Sequence, residues 1–208
     1  MGRLGCFVSR SWNCGKSIIP LLNEDYMNEE LEVLSIVTHA LNGAGIAYMI
    51  TGSVAMNYYA FPRMTRDIDI VIELHRKDLS VFIDLFENDF FLYPDSIKEA
   101  IINHEMFNII HNKYVVKLDF IVKKPSPYRL TEFQRRQQVV IEGMSMRIVS
   151  PEDLILSKLW WAKDTQSELQ IGDVKNILSS VDNLDIPYID HWVEEMNLQD
   201  IYRKAIDA

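Results

Sequence analysis

Cysteine is scarce in this sequence: Cys6 and Cys14 are its two cysteines among 208 residues. Two cysteines cannot form a disulfide framework. They do not have the CxxC spacing of metal-binding loops and no histidine lies near them, which argues against a structural zinc site. A chain of this length can bury a sufficient apolar core without either kind of cross-link.

The sequence also contains few glycines and prolines, no long apolar runs, and fewer basic than acidic residues. With 8 Gly and 7 Pro, collagen-like and low-complexity classes are excluded. No apolar run reaches about 18 residues, so we expect no membrane span and predict a cytoplasmic protein. Lys and Arg number 21 against 30 Asp and Glu, which gives a net charge of −9. Such a chain repels nucleic acid overall, so a polyanion would have to be attracted by a local site.

The apolar pattern divides the chain into three parts. Residues 1–26 have no sustained periodicity and are predicted to be a poorly packed, removable N-terminal extension. Within them, Gly15-Lys16-Ser17 is not a phosphate-binding loop, because Arg10 stands where that motif needs its first glycine. Residues 27–149 are predicted to form the core domain, and residues 150–208 a helical C-terminal subdomain.

The core domain is predicted to mix strands and helices. A helix capped by Asn28 is followed by a buried strand over 46–51 and a short helix over 54–60. Alternation over 66–74 predicts a strand with isoleucines on one face and acidic residues on the other. Further expected elements are helices over 77–88, 96–103 and 130–136, a hairpin of 106–111 with 114–122, and short strands over 139–141 and 146–149.

The C-terminal subdomain is predicted to be helical throughout. Its first helix has a strong start signal in Ser150-Pro151-Glu152-Asp153, where serine caps and proline takes the first helical position. The expected helices cover 154–162, 169–181, 188–196 and 200–205.

Two carboxylates on one strand are the most informative feature of the chain. Asp67 and Asp69 are two residues apart, so they point to the same sheet face with Cα atoms about 6.5 Å apart. Adjacent anions repel, and Mg²⁺ relieves the repulsion because it binds carboxylates together with phosphate oxygens and water. On the later hairpin strand the alternation turns Asp119 and Lys117 away from the core. Asp119 is therefore placed to be a third carboxylate on a neighbouring strand.

Gly52-Ser53 supplies a matching site for phosphate. Glycine allows the backbone to approach a ligand closely, and a serine where a helix begins offers its hydroxyl and unpaired backbone N–H groups. Phosphate there and metal at Asp67 and Asp69 would place a triphosphate across the first two strands. Two metal ions at such a site can clamp the attacking and leaving oxygens of an in-line displacement.

These motifs resemble those of the polymerase-β-like nucleotidyltransferase superfamily: Gly52-Ser53, a 13-residue spacer, Asp67-Ile68-Asp69 and Asp119 on a later strand. The chain is most similar to small prokaryotic nucleotidyltransferase-like proteins, including abortive-infection type toxins, over roughly residues 30–180. Other shared segments are Arg63-x-Thr65, Phe107-Asn108-Ile109-Ile110, Lys117-Leu118-Asp119, and Ser150-Pro151-Glu152-Asp153-Leu154 leading to Lys158-Leu159.

The resemblance implies an α+β fold, a mixed β-sheet flanked by helices with a helical C-terminal part. It implies transfer of a nucleoside monophosphate from an NTP to an acceptor hydroxyl with release of pyrophosphate, dependent on Mg²⁺ or Mn²⁺. It assigns metal binding and catalysis to Asp67, Asp69 and Asp119, with Asp119 also the candidate base, and nucleotide binding to Gly52, Ser53, Arg63 and Lys158.

Some members of the family carry an Arg-Asp pair near Asp173, but Gly172 replaces the arginine here. Lys158 could instead be a solvated helix residue, and Arg63 could brace its own loop rather than contact phosphate. The basic residues between Lys113 and Arg136 form either a solvated face or a guide for a triphosphate or an RNA.

Two functional hypotheses stay open. One is an enzyme whose acceptor is RNA such as tRNA, a protein side chain or a small molecule. The other is a catalytically silent nucleotide-binding or interaction module, working with an antitoxin-like protein partner. Trp160 and Trp161 are expected to be packing residues rather than platforms for bases.

Overall fold

A computed structural model describes residues 24–63 and 67–206 of the chain. Residues 1–23 of the predicted extension, and Thr65 of the shared motif, therefore lie outside the described residues. The helices are α1 (Glu24–Gly43), α2 (Gly52–Tyr59), α3 (Leu79–Phe86), α4 (Pro94–Asn103), α5 (Pro127–Gln134), α6 (Pro151–Thr165), α7 (Glu168–Ser180), α8 (Ile186–Glu195) and α9 (Gln199–Ile206). The strands are β1 (Tyr48–Thr51), β2 (Asp67–Ile72), β3 (Phe90–Phe91), β4 (Met106–His111), β5 (Lys117–Val122), β6 (Gln137–Ile141) and β7 (Met144–Ile148).

The seven strands form one mixed sheet in the order β3-β4-β5-β2-β1-β7-β6. β2 pairs with β5 in parallel and with β1 in antiparallel orientation, so it lies at the centre of the sheet. β1 also pairs in parallel with β7. The α+β class and the mixed sheet flanked by helices are confirmed. Strands distant in sequence thereby come to lie side by side around β2.

The apolar face of β2 and β5 forms the core. Ile68, Ile70 and Ile72 are buried on this face, as the alternation predicts. An aromatic cluster continues it, in which Phe120 of β5 stacks on Phe107 of β4 with ring centroids 5.2 Å apart. Because Phe120 is fixed in this cluster, the neighbouring residue Asp119 is held on the opposite face of a rigid strand.

The C-terminal helices pack around α6, which is buried on nearly all sides. The predicted start of α6 is confirmed: the Ser150 hydroxyl accepts a hydrogen bond from the Asp153 backbone N–H, and Pro151 is the first helical residue. α6 contacts α7, α8 and α9, and it also touches α2 next to the sheet. This contact with α2 brings residues of the helical subdomain to the face that carries the carboxylates.

The elements differ from the expected ones mainly at their ends. α1 begins at Glu24, before the expected cap Asn28. The hairpin turn is longer than expected, because Val115 adopts a positive φ of 56° and β5 begins only at Lys117. The two-residue strand β3 was not expected, since two residues are too short to show alternation. No helix in the described parts of the chain is both long and apolar enough to cross a membrane.

One expectation about side chains is wrong. Trp160 and Trp161 were expected to be packing residues, but they are 46% and 63% exposed near the end of α6. The buried residues of α6 lie mainly in its first ten positions, and the helix leaves the core as it approaches Thr165. An apolar residue type alone does not show where along a helix the core ends.

Candidate functional site

A row of polar side chains crosses four strands on the face opposite the aromatic core. Asn108 on β4 is paired with Asp119 on β5, Asp119 with Asp69 on β2, and Asp69 with Thr51 on β1. Residues directly opposite each other on neighbouring strands point to the same side of the sheet. The pairing therefore brings Asp69 and Asp119 together, and it sets both beside the residue that precedes Gly52.

A second row lies two residues away along β2 and β5, and it places a lysine among the carboxylates. Lys117 is the partner of Asp67 across β2 and β5. Its Nζ lies 2.8 Å from Oδ2 of Asp119 and 3.5 Å from Oδ2 of Asp67. The hydrogen bond to Asp119 raises the pKa of Lys117, so the ammonium is fully charged at neutral pH. Three carboxylates and one ammonium thus form a square on one sheet face.

Gly52 is in direct contact with Asp69. It adopts a positive φ of 61°, and a Cβ built on it would lie 1.9 Å from Oδ2 of Asp69. Two requirements therefore demand glycine here, the left-handed backbone and the space taken by the carboxylate. The contact places Asp69 against the first turn of α2, whose cap residue Thr51 makes no side-chain hydrogen bond to the helix.

The charged form of Asp69 is disfavoured at this position, and Asp119 has one oxygen that accepts no hydrogen bond. Burial, followed by the charges of Asp119 and Asp67, raises the pKa of Asp69 from 3.8 to about 6. Asp119 is 7% exposed, and its Oδ1 is buried without a hydrogen-bond donor among the described residues. A buried carboxylate oxygen without a partner is unusual and is costly in free energy. A cation or a proton at this point would remove the cost.

An arginine and a lysine converge on the other side of Gly52. Arg63 donates from Nη2 to the Ser53 hydroxyl at 3.0 Å, and from Nε and Nη2 to the two carboxylate oxygens of Asp173 at 3.1 and 3.0 Å. Lys158 donates to Oδ2 of Asp173 at 2.6 Å and is only 4% exposed. The predicted nucleotide-binding residues Ser53, Arg63 and Lys158 are therefore brought together.

Asp173 is the acidic centre of this second group. Burial alone would raise its pKa, but the hydrogen bonds from Arg63 and Lys158 outweigh burial and lower the pKa below its ordinary value. Burial lowers the pKa of Lys158, while the bond to Asp173 and the charge of Asp69 oppose that effect. The negative charge of Asp69 therefore acts on Lys158, so the carboxylates on the strands interact electrostatically with the group around Asp173.

Asp173 does have an arginine partner, although Gly172 replaces the arginine found beside it in similar proteins. The partner is Arg63, which is 110 residues away in sequence. The backbone of Arg63 is held in turn by the Asn57 side chain, which donates to the carbonyl and accepts from the N–H, both at 2.9 Å. Arg63 therefore braces its own loop and also lies at the predicted phosphate site, so both alternatives for this residue hold in part.

The sequence shows no sign of an electrostatic interaction between α1 and Asp67. Burial and then the charge of Asp67 raise the pKa of Glu30, on α1, from 4.5 to about 7. In the sequence, Glu30 is one of several acidic residues in the first turns of a helix, where acidic residues are common. Nothing in that pattern connects it with β2.

Most of the basic residues between 113 and 136 bind other parts of the chain. The contacts join Lys113 to the Tyr114 hydroxyl, Lys117 to Asp67 and Asp119, Lys123 to Glu73, Arg129 to Glu132 and Ser157, Arg135 to Glu152 and Asp153, and Arg136 to the Phe133 carbonyl. Because four of these cations are paired with carboxylates, little uncompensated positive charge is left in this segment to guide an RNA. Lys117 is the member of this set that lies at the carboxylates.

The donor set fits a hard divalent cation in part. Carboxylate oxygens are the protein ligands that Mg²⁺ and Mn²⁺ prefer, and the unpartnered Oδ1 of Asp119 has a free position for one. Within residues 24–63 and 67–206, however, no three His, Cys, Asp or Glu side chains are grouped so that they could hold one ion. The residues that would hold an ion are Asp69 and Asp119, with Asp67 next to them, completed by phosphate oxygens and water.

The fold of the chain is similar to that of several solved structures. An antigenic nucleotidyltransferase-like protein from Paracoccidioides brasiliensis matches with a TM-score of 0.54 at 18% identity, covering 84% of this chain and 92% of that one. ANT(2″)-Ia in complex with adenylyl-2″-tobramycin matches with a TM-score of 0.54 at 14% identity, covering 85% and 99%. No protein-family model and no curated protein matches the chain. These likenesses show that the chain has a nucleotidyltransferase-like fold.

Proposed function

We propose that this protein is a nucleotidyltransferase that transfers a nucleoside monophosphate from an NTP to a hydroxyl group of an acceptor. The observation that carries the proposal is the pairing of Asp69 with Asp119 beside Gly52-Ser53. Carboxylates that would hold a divalent ion and cations that would bind phosphate thus lie side by side. A structural neighbour, ANT(2″)-Ia, was solved with an adenylyl group attached to an antibiotic, which supports a transfer reaction of this class.

The phosphates of the NTP would bind at the start of α2. The Ser53 hydroxyl and the backbone N–H groups of the first turn donate to phosphate oxygens, and the guanidinium of Arg63 lies 3.0 Å from that hydroxyl. Lys158 lies next to Arg63 through their common partner Asp173. These groups orient the triphosphate and stabilise the negative charge that collects on the leaving pyrophosphate.

The carboxylates would act on the acceptor. The acceptor oxygen attacks the α-phosphorus in line with the bond to pyrophosphate; the new P–O bond forms as that bond breaks, and the hydroxyl proton passes to a carboxylate. Asp119 is the candidate base as well as a ligand, because its Oδ1 accepts no hydrogen bond and a carboxylate oxygen has two lone pairs, one for an ion and one for the proton. Mg²⁺ or Mn²⁺ bound at these carboxylates would supply positive charge at the reacting phosphoryl group.

Transfer can be tested with NTPs labelled at the α-phosphate. The protein is incubated with each of the four labelled NTPs, Mg²⁺ and fractionated cell extract containing RNA, proteins and small molecules, and the fraction that acquires label is identified. Asp69→Asn removes a ligand charge. Asp200→Asn is the matched control, since Asp200 is exposed and forms an ion pair with Arg203 of the same helix at 3.7 Å.

We expect the wild type and D200N to transfer label and release pyrophosphate. In D69N we expect the rate of transfer to fall by at least about 100-fold. Nucleotide binding without transfer under any condition would contradict it, and would favour the silent binding module instead. The fraction that carries the label distinguishes RNA, protein and small-molecule acceptors.

A further inference from the structure

The ammonium of Lys117 occupies a position among the carboxylates that a metal ion could take. Its Nζ lies between Oδ2 of Asp119, at 2.8 Å, and Oδ2 of Asp67, at 3.5 Å. A Mg²⁺ ion shared by these two oxygens would have to lie about 2.0–2.1 Å from each. An ammonium and a divalent ion cannot both lie between the same two oxygens, because they would overlap and repel.

The ammonium is held in place by the strand that carries it. Lys117 and Asp119 are on β5, two residues apart, and Lys117 is the cross-strand partner of Asp67. All four side chains of the square therefore stand on one face of two paired central strands. The Lys117 side chain is 37% exposed. Lysine side chains on protein surfaces are usually more exposed than this.

The remaining free oxygen lies on the other side of Asp119. Its Oδ2 is bonded to Lys117, whereas Oδ1 is buried and unpartnered, and Asp69 is the residue directly opposite. While Lys117 is bonded to Oδ2 of Asp119, the carboxylate of Asp69 and Oδ1 of Asp119 could bind one ion between them.

We infer that Lys117 takes the place of one of the two divalent ions expected at this site, so that the phosphate-bound protein holds one divalent ion per chain. The inference rests on the proposed function, because it assumes that the carboxylates bind metal together with phosphate. It concerns the number of ions and the identity of the second cation. Lys117 is on this account a fixed positive charge beside the reacting groups.

The number of bound ions can be counted without any reaction. Equilibrium dialysis against Mn²⁺, with and without inorganic tripolyphosphate, gives the ions bound per chain. Tripolyphosphate presents the phosphate chain without a base, so the unknown base preference does not matter. The variants are Lys117→Gln, which removes the charge, and Lys117→Arg, which retains it. Lys113→Gln on the same hairpin is the matched control, since Lys113 donates to the hydroxyl of the neighbouring residue Tyr114 rather than to a carboxylate of the site.

With tripolyphosphate we expect one Mn²⁺ per chain for the wild type, K117R and K113Q, and two for K117Q. The electron paramagnetic resonance spectrum should show an isolated Mn²⁺ in the wild type and a spin-coupled pair in K117Q. Melting curves without metal establish which variants fold. If K117Q does not fold, Lys117→Met, which also removes the charge, takes its place, and the wild-type count still tests whether a single ion binds.

Two ions in the wild type would overturn the inference and leave the proposed function intact, because Lys117 would then move away when metal binds. One ion in a folded K117Q would also overturn it, because the lysine would not be what excludes the second ion. No bound Mn²⁺ in the wild type under either condition would overturn both this inference and the metal requirement of the proposed function.

Discussion

Gly52 is the residue at which the proposed phosphate site meets the carboxylates. Its backbone has a positive φ and its Cα is covered by the Asp69 carboxylate. Asp69 thereby contacts the first turn of a helix while it faces Asp119 across the strands. A single residue without a side chain thus sets the spacing between the two halves of the site.

Gly52→Ala should destabilise the protein more than Gly45→Ala does. Both glycines have positive φ, so alanine at either position costs about 1–2 kcal/mol in unfolding free energy. At Gly45 no atom lies within 4 Å of the added Cβ, whereas at Gly52 it would lie 1.9 Å from Asp69. Displacing Asp69 should cost about 1–3 kcal/mol more. Urea unfolding without metal measures the unfolding free energy of both variants. Equal losses of stability would show that the contact with Asp69 is unimportant.

Asp69 makes stability depend on pH. Its pKa is about 6 in the folded protein against 3.8 in a free side chain, so between about pH 4 and pH 6 the folded state binds more protons than the unfolded state. Stability contributed by this group therefore falls as the pH rises through that window, and stays lower above it. The fall is absent in Asp69→Asn, which cannot ionise.

Asp69→Asn should consequently be more stable than the wild type at pH 7 without metal, by on the order of 1–3 kcal/mol, and about equal to it at pH 4. Denaturant unfolding of both proteins at the two pH values tests this. Asp200→Asn, at an exposed position, should follow the wild type at both. A D69N protein that is less stable than the wild type at pH 7 would show that the Asp69 charge is not strained.

At the scale of elements, Asp173 joins the loop after α2 to the helical subdomain. It lies on α7 and binds Arg63 from that loop and Lys158 from α6. Lys158 and Asp173 are each about 4% exposed, so they form a buried ion pair. Removing one partner of a buried pair leaves the other charge buried without compensation.

Asp173→Ala should therefore lower the free energy of unfolding by about 3–5 kcal/mol. The double variant Asp173→Ala with Lys158→Met should regain part of this loss, because the uncompensated ammonium is also removed. Asp200→Ala, which breaks the exposed pair with Arg203, should cost less than about 1 kcal/mol. A double variant no more stable than D173A would show that Lys158 is not the source of the loss.

The sequence predicts single elements better than the contacts between them. Alternation identifies β2, because Asp67 and Asp69 alternate with isoleucines that must be buried, and the Ser150-Pro151 signal identifies the start of α6. The pairing of Arg63 with Asp173 could not be foreseen, since 110 residues separate them and only the packing of α7 near α2 brings them together. For the same reason the sequence shows Lys117 on the face of Asp119 but not its bridge to Asp67.

For the molecule as a whole, charge is the property that bears on the acceptor. The net charge is −9, and most cations between residues 113 and 136 already bind carboxylates, carbonyls or hydroxyls of the chain itself. We therefore expect unstructured RNA of about 20 nucleotides to bind more weakly than about 10⁻⁴ M at 150 mM salt. Fluorescence anisotropy measures this; micromolar binding would contradict it and would restore the RNA-guide hypothesis.

The central claim is that the carboxylates on β2 and β5 and the start of α2 form one metal-dependent nucleotide site. The most direct test is calorimetric titration of each NTP into the wild type, Asp67→Asn, Asp69→Asn and Ser53→Ala, with and without Mg²⁺. A triphosphate approaching three carboxylates is repelled unless a divalent ion is present. For at least one NTP we expect wild-type binding that requires Mg²⁺, loss of this binding in D67N and D69N, and a milder loss of on the order of 1–2 kcal/mol in S53A. Equal, metal-independent binding by the wild type and D69N would contradict the claim.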